Sequence, residues 1–100
     1  MKTEYADDDL KLLANGSAAT KSTYSIALIR AFQNKVVLLE EAPDERTLRN
    51  WKSLHYEKLK GDRKHQRSIR LNKQWRLILE LDNDTEPKTI KIVGIEDYHR

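Results

Sequence analysis

The spacing of apolar residues changes once along the chain, from a helical period in the first half to an alternating pattern in the second. Five apolar residues of the first half recur at intervals of three or four: Ile26, Ile29, Phe32, Val36 and Leu39. Such a stripe predicts a long helix with one buried side. Ser22 or Thr23 is a suitable N-cap, Pro43 marks the end of the helix, and residues 44–46 begin a polar connection.

Two shorter elements are predicted ahead of this helix. Residues 3–6 read as a short strand, and an acidic run over residues 7–9 opens a helix that spans about 8–14. Acidic side chains suit the positive end of a helix dipole, and Asn15-Gly16 suits its termination. The small residues 16–20 then form a linker.

From about residue 51, apolar and polar residues alternate, which is typical of β-strands. Residues 68–72 form one alternating segment, and after a tight turn at Asn72-Lys73 a second begins at Trp75. Two strands joined this closely predict an antiparallel hairpin. A turn that includes Pro87 and a last strand over residues 89–95 follow.

The order strand, helix, helix and then several strands predicts an α+β fold with the helices on one face of the sheet. At 100 residues, the chain has room for a single domain over residues 1–100. The hairpin residues expected to pack on the helices are Ile69, Leu71, Trp75, Leu77 and Leu79. Arg70 and Arg76 then emerge together on the opposite face. The alternative is that these arginines only pair with Glu80, Glu96 or Asp97.

Composition narrows the chemistry that this domain can perform. The chain has no cysteine, which excludes disulfides, thiolate metal sites and cysteine nucleophiles and agrees with a reducing cytoplasm. Its three histidines are scattered without a carboxylate set at ligand spacing, so we expect no metal and no cofactor. No apolar run approaches the ~20 residues of a membrane span. The first nine residues are too acidic and polar for a signal peptide.

Positive charge is concentrated in one part of the chain. The formal net charge is only +3, but residues 51–78 contain nine Lys and Arg against Glu57 and Asp62. A polyanion is the natural partner if these charges share a face, and a solvated basic surface is the alternative. Arg70 and Arg76 can each hold a phosphate through two N–H groups. Side chains just upstream that could rim the same surface are Lys58, Lys60 and Arg63.

The chain ends in a cluster of titratable residues, from Glu96 to Arg100. Histidine titrates near neutrality, tyrosine is a weak acid, and aspartate can orient an imidazole. At the end of a strand, such a cluster can supply general acid–base groups to an adjoining cationic surface. The alternative is a frayed polar tail.

Three motifs in one order carry a family resemblance. They are Leu59-Lys60-Gly61-Asp62-Arg63, then the segment SIRLNKQWRL over residues 68–77, and then Asp97-Tyr98-His99. Together they resemble the HigB branch of the RelE/ParE toxin superfamily, the toxic halves of type II toxin–antitoxin pairs. The resemblance covers about residues 48–99, and before residue 48 it rests on length and on the strand–helix–helix order.

The resemblance implies a RelE-like, microbial-RNase-like fold, in which two N-terminal helices pack on a twisted, mostly antiparallel sheet. It also implies ribosome-dependent cleavage of translated mRNA in the cytoplasm, without a metal. The implied partners are the ribosome, mRNA and a helix-turn-helix antitoxin of the HigA type. Operator DNA would be bound only through the complex with that antitoxin.

Residue roles follow by position from the same resemblance. The implied cleavage residues are Lys60, Arg76, Asp97, Tyr98 and His99. Some members have a histidine three positions before the matching lysine, where this chain has Glu57. Glu57 is a candidate catalytic residue, and so is His55, which lies two residues away and would share the face of Glu57 if the strand is regular. The residues expected to bind RNA phosphates are Lys58, Arg63, Arg70 and Lys73.

These residue types suit RNA cleavage, which needs the 2′-hydroxyl deprotonated, the phosphate charge stabilised and the leaving oxygen protonated. Arg76, with Lys60 or Arg70, would hold the phosphate. The base is one of Glu57, Asp97 or His99, and the acid is His99 or Tyr98. Two other functions stay open: a ParE-like poison of DNA gyrase, and a catalytically silent module that binds only antitoxin or RNA.

Overall fold

The computed structural model describes residues 1–16 and 23–97. Within these ranges, three helices and five strands follow the predicted α+β order, with short 3-10 turns at Lys52–Leu54 and Gly61–Arg63. In chain order the elements are β1 (Lys2–Tyr5), α1 (Asp8–Ala14), α2 (Ile26–Glu41), α3 (Glu45–Asn50), β2 (Glu57–Lys58), β3 (Gln66–Arg70), β4 (Trp75–Asp82) and β5 (Thr89–Asp97).

These five strands form a sheet in the order β1-β5-β4-β3-β2. β1 runs parallel to β5, and the other neighbouring pairs are antiparallel. The predicted mostly antiparallel sheet is therefore confirmed. The predicted hairpin is the β3–β4 pair, in which Ile69 lies opposite Leu77 and Arg70 opposite Arg76.

A bulge in β5 decides which face its last residues occupy. Ile78 pairs with Gly94 but Leu79 pairs with Ile92, so Val93 is an extra residue on β5. Unbroken alternation would place residue 96 on the same face as Ile92. Because of the bulge, Glu96 lies opposite Arg76 on the other face.

The helices cover one face of the sheet and enclose the apolar core. α2 buries five residues there: Leu28, Ile29, Phe32, Val36 and Leu39. The predicted stripe included Ile26, which is wrong, since Ile26 is 69% exposed. At 100° per residue, Ile26 lies about 120° around the helix from Phe32, whereas Leu28 lies only about 40° away. Leu28 therefore takes the core position.

The ends of the helices also differ from the prediction. α2 begins at Ile26 and is capped by Ser25, whose Oγ accepts a hydrogen bond from the Leu28 N–H at 3.1 Å. Thr23 is therefore not the cap, and Ser22 lies outside the described residues.

Residues 44–46 are not merely a polar connection, because they begin α3. The Asp44 carboxylate accepts from the Arg46 N–H at 2.9 Å and caps that helix. The pKa of Asp44 is lowered, mainly by this backbone hydrogen bond and to a smaller extent by the hydrogen bond to the Arg46 side chain.

The N-terminal elements lie close to their predicted bounds. β1 spans Lys2–Tyr5 rather than residues 3–6, and α1 spans Asp8–Ala14 as expected. Most of the predicted linker over residues 16–20 lies outside the described residues. Among the helices described, none is long and apolar enough to cross a membrane.

Candidate nucleic-acid interface

The face of the sheet opposite the helices, here called the open face, carries Arg70 and Arg76 side by side. They are register partners on β3 and β4, as the alternation predicts. Ser68 and Ile78 form the next pair on this face. The open face therefore places two guanidinium groups of like charge on adjacent strands, which repel one another unless their surroundings offset the charge.

Arg76 is buried despite its charge, at 6% exposure. Its Nε donates to Ser68 Oγ at 2.9 Å, and its Nη2 donates to the carbonyl oxygens of Ser68 (3.3 Å) and His55. Nη2 also lies 3.5 Å from the carboxylate of Glu57, which is about half exposed. These partners compensate the loss of water around a buried cation and fix the guanidinium in place.

The segment from His55 to Glu57 is not a regular strand, because β2 contains only two residues and His55 is left-handed (φ 48°, ψ 50°). The condition under which His55 would share the face of Glu57, a regular strand, is therefore not met. The turn itself brings it there, since His55 Nε2 lies 3.3 Å from Arg70 Nη1. Arg70 also donates from Nε to the Asn72 carbonyl at 3.2 Å.

Tyr56 fixes the same segment from the helical side of the sheet. Its hydroxyl donates to the carboxylate of Glu45 at the start of α3. Glu45 also pairs with Arg49 at 3.0 Å and with Arg67 at 3.5 Å. The pKa of the Tyr56 phenol is raised, mainly by burial and to a smaller extent by the hydrogen bond to this carboxylate. Alternate residues of the segment are thus held from opposite faces of the sheet.

Arg63 forms a two-pronged ion pair with Glu96 at the edge of the open face. Nη1 and Nη2 donate to the two carboxylate oxygens at 3.0 and 2.7 Å, and Nε donates to Gln66 at 2.9 Å. The hydrogen bonds to Glu96 raise the pKa of Arg63. Because both side chains are nearly half exposed, water and salt weaken this pair.

A cavity of about 130 Å³ lies between these groups. Its ionisable lining residues are Glu57, Arg63, Arg76, Glu96 and Asp97, and the others are Leu59, Ser68 and Ile78. Gln74 Nε2 donates to the Asp97 carboxylate at 3.0 Å. The arrangement combines cations that can hold a phosphate with carboxylates that can accept a proton.

The structure brings together only part of the predicted site. Four predicted residues line the cavity: Glu57, Arg63, Arg76 and Asp97. Two more lie beside it, because the His55 carbonyl contacts Arg76 and the His55 imidazole contacts Arg70. Lys58 pairs with Arg67 and so lies on the opposite face from Glu57. Lys60 and Lys73 are exposed and do not line the cavity. Tyr98 and His99 lie outside the described residues.

Sequence reasoning missed Ser68 and Gln74. Ser68 is 1% exposed and binds the Arg76 guanidinium through both its hydroxyl and its carbonyl. Its register offered a signal, because it alternates with Arg70 and so must lie on the open face. Gln74 belongs to the hairpin turn, and no sequence pattern indicated its contact with Asp97.

A larger groove, of about 700 Å³, lies between α1 and residues 93–95 of β5, next to Thr23 and Tyr24. Its charged lining residues among those described are Asp7 and Asp9, which repel a polyanion. The smaller cavity is therefore the better candidate for binding phosphate. Within the described ranges, no group of three or more His, Asp or Glu residues is placed to hold a metal ion.

Comparison with known proteins identifies a family and agrees with the fold. Residues 3–92 match the family model of HigB-like toxins, described as RelE-like toxins of type II toxin–antitoxin systems. The matched range spans the part of the chain from His55 to Arg76, and it ends before Glu96 and Asp97. A search of curated proteins gave no match.

Two solved structures share the fold. A YoeB/ParE toxin from Agrobacterium tumefaciens is 14% identical, with a TM-score of 0.56, over 99% of this chain and 100% of that one. YafQ from E. coli is 17% identical, with a TM-score of 0.59, over 97% of this chain and 92% of that one. At such low identity, these similarities show the architecture alone.

Proposed function

Because the chain belongs to the HigB-like family of RelE-like toxins from type II toxin–antitoxin systems, we propose that it is an endoribonuclease that cleaves translated mRNA on the ribosome. Membership of the family implies an antitoxin partner. We propose that this partner is a helix-turn-helix protein of the HigA type, and that operator DNA is bound only by the complex. The toxin domain would span residues 1–100 and act in the cytoplasm.

The observation that carries this proposal is the buried Arg76 beside Glu57 in the open-face cavity. A guanidinium held by Ser68 and His55 is already in place before substrate binds. Such preorganised charge is most effective at a phosphate whose negative charge increases in the transition state. Arg70, the register partner of Arg76, would bind a neighbouring phosphate oxygen, with Lys60 as the alternative implied by the family.

Proton transfer would use groups around the same cavity. Glu57 or Asp97 would accept the proton of the 2′-hydroxyl, and Tyr98 or His99 would protonate the leaving oxygen, with His99 as a further candidate for the base. The basic residues Lys58, Arg63 and Lys73 would guide the single-stranded mRNA. Each phosphate contact on a single strand contributes about 0.7 to the slope of log affinity against log salt.

The proposal is tested by mapping cleavage in translated mRNA, both in cells and on purified ribosomes programmed with a defined mRNA. We expect Arg76→Ala to slow cleavage roughly 100- to 1,000-fold, the effect of losing one preorganised donor to a developing anion. His99→Gln tests the terminal cluster. Arg46→Ala is the matched control, because Arg46 is exposed on the helical side and pairs with Asp44.

Two results would overturn the proposal. One is full cleavage by both Arg76→Ala and His99→Gln; conversely, a loss of cleavage supports the proposal only in a variant that circular dichroism shows to be folded. The other is intact translated mRNA in growth-arrested cells. In the second case, DNA breaks would indicate a gyrase poison, and tight RNA binding without cleavage would indicate a silent module.

A further inference from the structure

We propose that His55 is a positioning residue that sets the arrangement of Arg70 and Arg76 through two separate contacts. Its imidazole contacts Arg70 and its backbone carbonyl contacts Arg76. This inference rests on the proposed function, because it assigns the arginine pair to the RNA phosphate. It concerns a residue outside the motif positions from which the cleavage residues were inferred.

The side-chain contact has a defined direction. A guanidinium group carries only N–H donors, so the His55 Nε2 at 3.3 Å from Arg70 Nη1 is the acceptor. Nε2 therefore carries no proton in this contact. The imidazole holds the Arg70 guanidinium from one side while the Asn72 carbonyl accepts from its Nε on the other.

The main-chain contact depends on the unusual backbone of His55. Among the described residues other than glycine, His55 is the one with a positive φ. A left-handed conformation is unfavourable for a residue with a side chain and is typically retained where the surroundings require it. Here it ends the 3-10 turn at Lys52–Leu54, with the His55 N–H donating to the Lys52 carbonyl at 3.1 Å. It also leaves the His55 carbonyl directed at Arg76 Nη2.

Neighbouring residues hold this conformation in place. Leu54 is 1% exposed in the core, and Tyr56 is hydrogen-bonded to Glu45 on the helical side. Both residues that flank His55 are thus anchored away from the open face. His55 has little freedom to retreat from the two arginines, which explains how like charges on adjacent strands are kept in one arrangement.

Two substitutions separate the two contacts. In His55→Gly the left-handed backbone is favourable, so the carbonyl contact with Arg76 stays while the imidazole is lost. In His55→Val a β-branched side chain strongly disfavours the left-handed backbone, so both contacts are lost. His65→Gln is the matched control, because His65 is an exposed histidine that touches neither arginine.

The expected results differ in kind as well as in size. With programmed ribosomes, we expect His55→Gly to raise KM about 2- to 12-fold with kcat within twofold, which is the range for one hydrogen bond. We expect His55→Val to lower kcat roughly 100-fold, as for a misplaced catalytic group. In NMR spectra of the arginine Nε–H groups, His55→Gly should shift the Arg70 signal alone, and His55→Val both arginine signals.

Several outcomes would overturn the inference. One is a His55→Gly variant with the wild-type KM and an unshifted Arg70 signal. Another is a folded His55→Val variant with the wild-type kcat and an unshifted Arg76 signal. If His55→Val does not fold, His55→Gly still decides on the imidazole contact, because glycine fits the backbone, and an Arg76 signal that moves in His55→Gly would contradict the carbonyl contact. If the wild type cleaves no mRNA, the proposed function fails, and the NMR signals still test whether His55 positions the two arginines.

Discussion

Arg76 and Leu77 are consecutive residues of β4, and the two faces of the sheet bury them in different ways. Leu77 is fully buried beneath the helices, and Arg76 is 6% exposed on the open face. On the covered face, removal of apolar surface from water is itself favourable. On the open face, burial of a charge is unfavourable and is offset by bonds to Ser68, His55 and Glu57. A buried apolar residue on the covered face therefore belongs to the core, whereas an equally buried charged residue on the open face indicates a candidate site.

The largest expected effect on stability comes from the covered face. We expect Leu77→Ala to lower the free energy of unfolding by about 2–5 kcal/mol, because it removes buried methyl groups and leaves a cavity. Urea denaturation followed by circular dichroism measures the change. Leu77→Met, which nearly conserves volume, should cost less than about 1.5 kcal/mol. Equal losses in the two variants would contradict a close-packed core at this position.

A smaller loss is expected for the polar partner of Arg76 on the open face. Ser68→Ala removes the hydroxyl that accepts from Arg76 Nε and leaves a buried donor without that acceptor. We expect the free energy of unfolding to fall by about 1–3 kcal/mol. Ser53→Ala, at an exposed position, should stay within about 0.5 kcal/mol of wild type. Indistinguishable denaturation midpoints for the two variants would show that the hydroxyl does not stabilise the buried guanidinium.

The covered face was largely predictable from the sequence, because alternation and helical spacing report apolar burial. The register of Ile69 with Leu77 follows from that pattern. The errors occur where a local event breaks the period. Val93 adds a residue to β5, and Gly94 next to it was the available sign of a bulge. That bulge, rather than simple alternation, brings Glu96 beside Arg76.

The open face was predictable only in outline. Alternation placed Arg70 and Arg76 together, but it could not show that Arg76 is buried, since that depends on Ser68 and on a carbonyl from a distant turn. The spacing of apolar residues does not predict the left-handed backbone of His55. Side-chain patterns also do not predict contacts made by main-chain atoms and by turns, so the geometry of a polar site is less predictable than the core.

The start of the helix that covers the sheet gives a third, smaller effect. Ser25 caps α2 through the Leu28 N–H, whereas the sequence favoured Ser22 or Thr23. We expect Ser25→Ala to lower the free energy of unfolding by about 1 kcal/mol. Thr23→Ala is the matched control and should have an effect within about 0.5 kcal/mol. Thermal unfolding of the two variants checks this, and a larger loss for Thr23→Ala would contradict the observed helix start.

The smallest effect on stability is expected from the exposed ion pair of the open face. Breaking this pair should lower the free energy of unfolding slightly and raise the affinity for RNA. Glu96→Gln removes one charge beside Arg63 and nearly conserves shape, and such an exposed pair contributes at most about 1 kcal/mol. Arg63 then becomes available to a phosphate, so the affinity for single-stranded RNA should rise. The slope of log affinity against log salt should steepen by about 0.7, the value for one added contact.

Glu86→Gln is the matched control. It makes the same charge change in the turn between β4 and β5, at the far end of the sheet from Arg63, and should leave the slope unchanged. Equal slopes for the two variants would mean that the pair with Glu96 does not keep Arg63 from a further phosphate contact. A steeper slope for Glu96→Gln alone would show that Glu96 and the RNA phosphate compete for Arg63 on the open face.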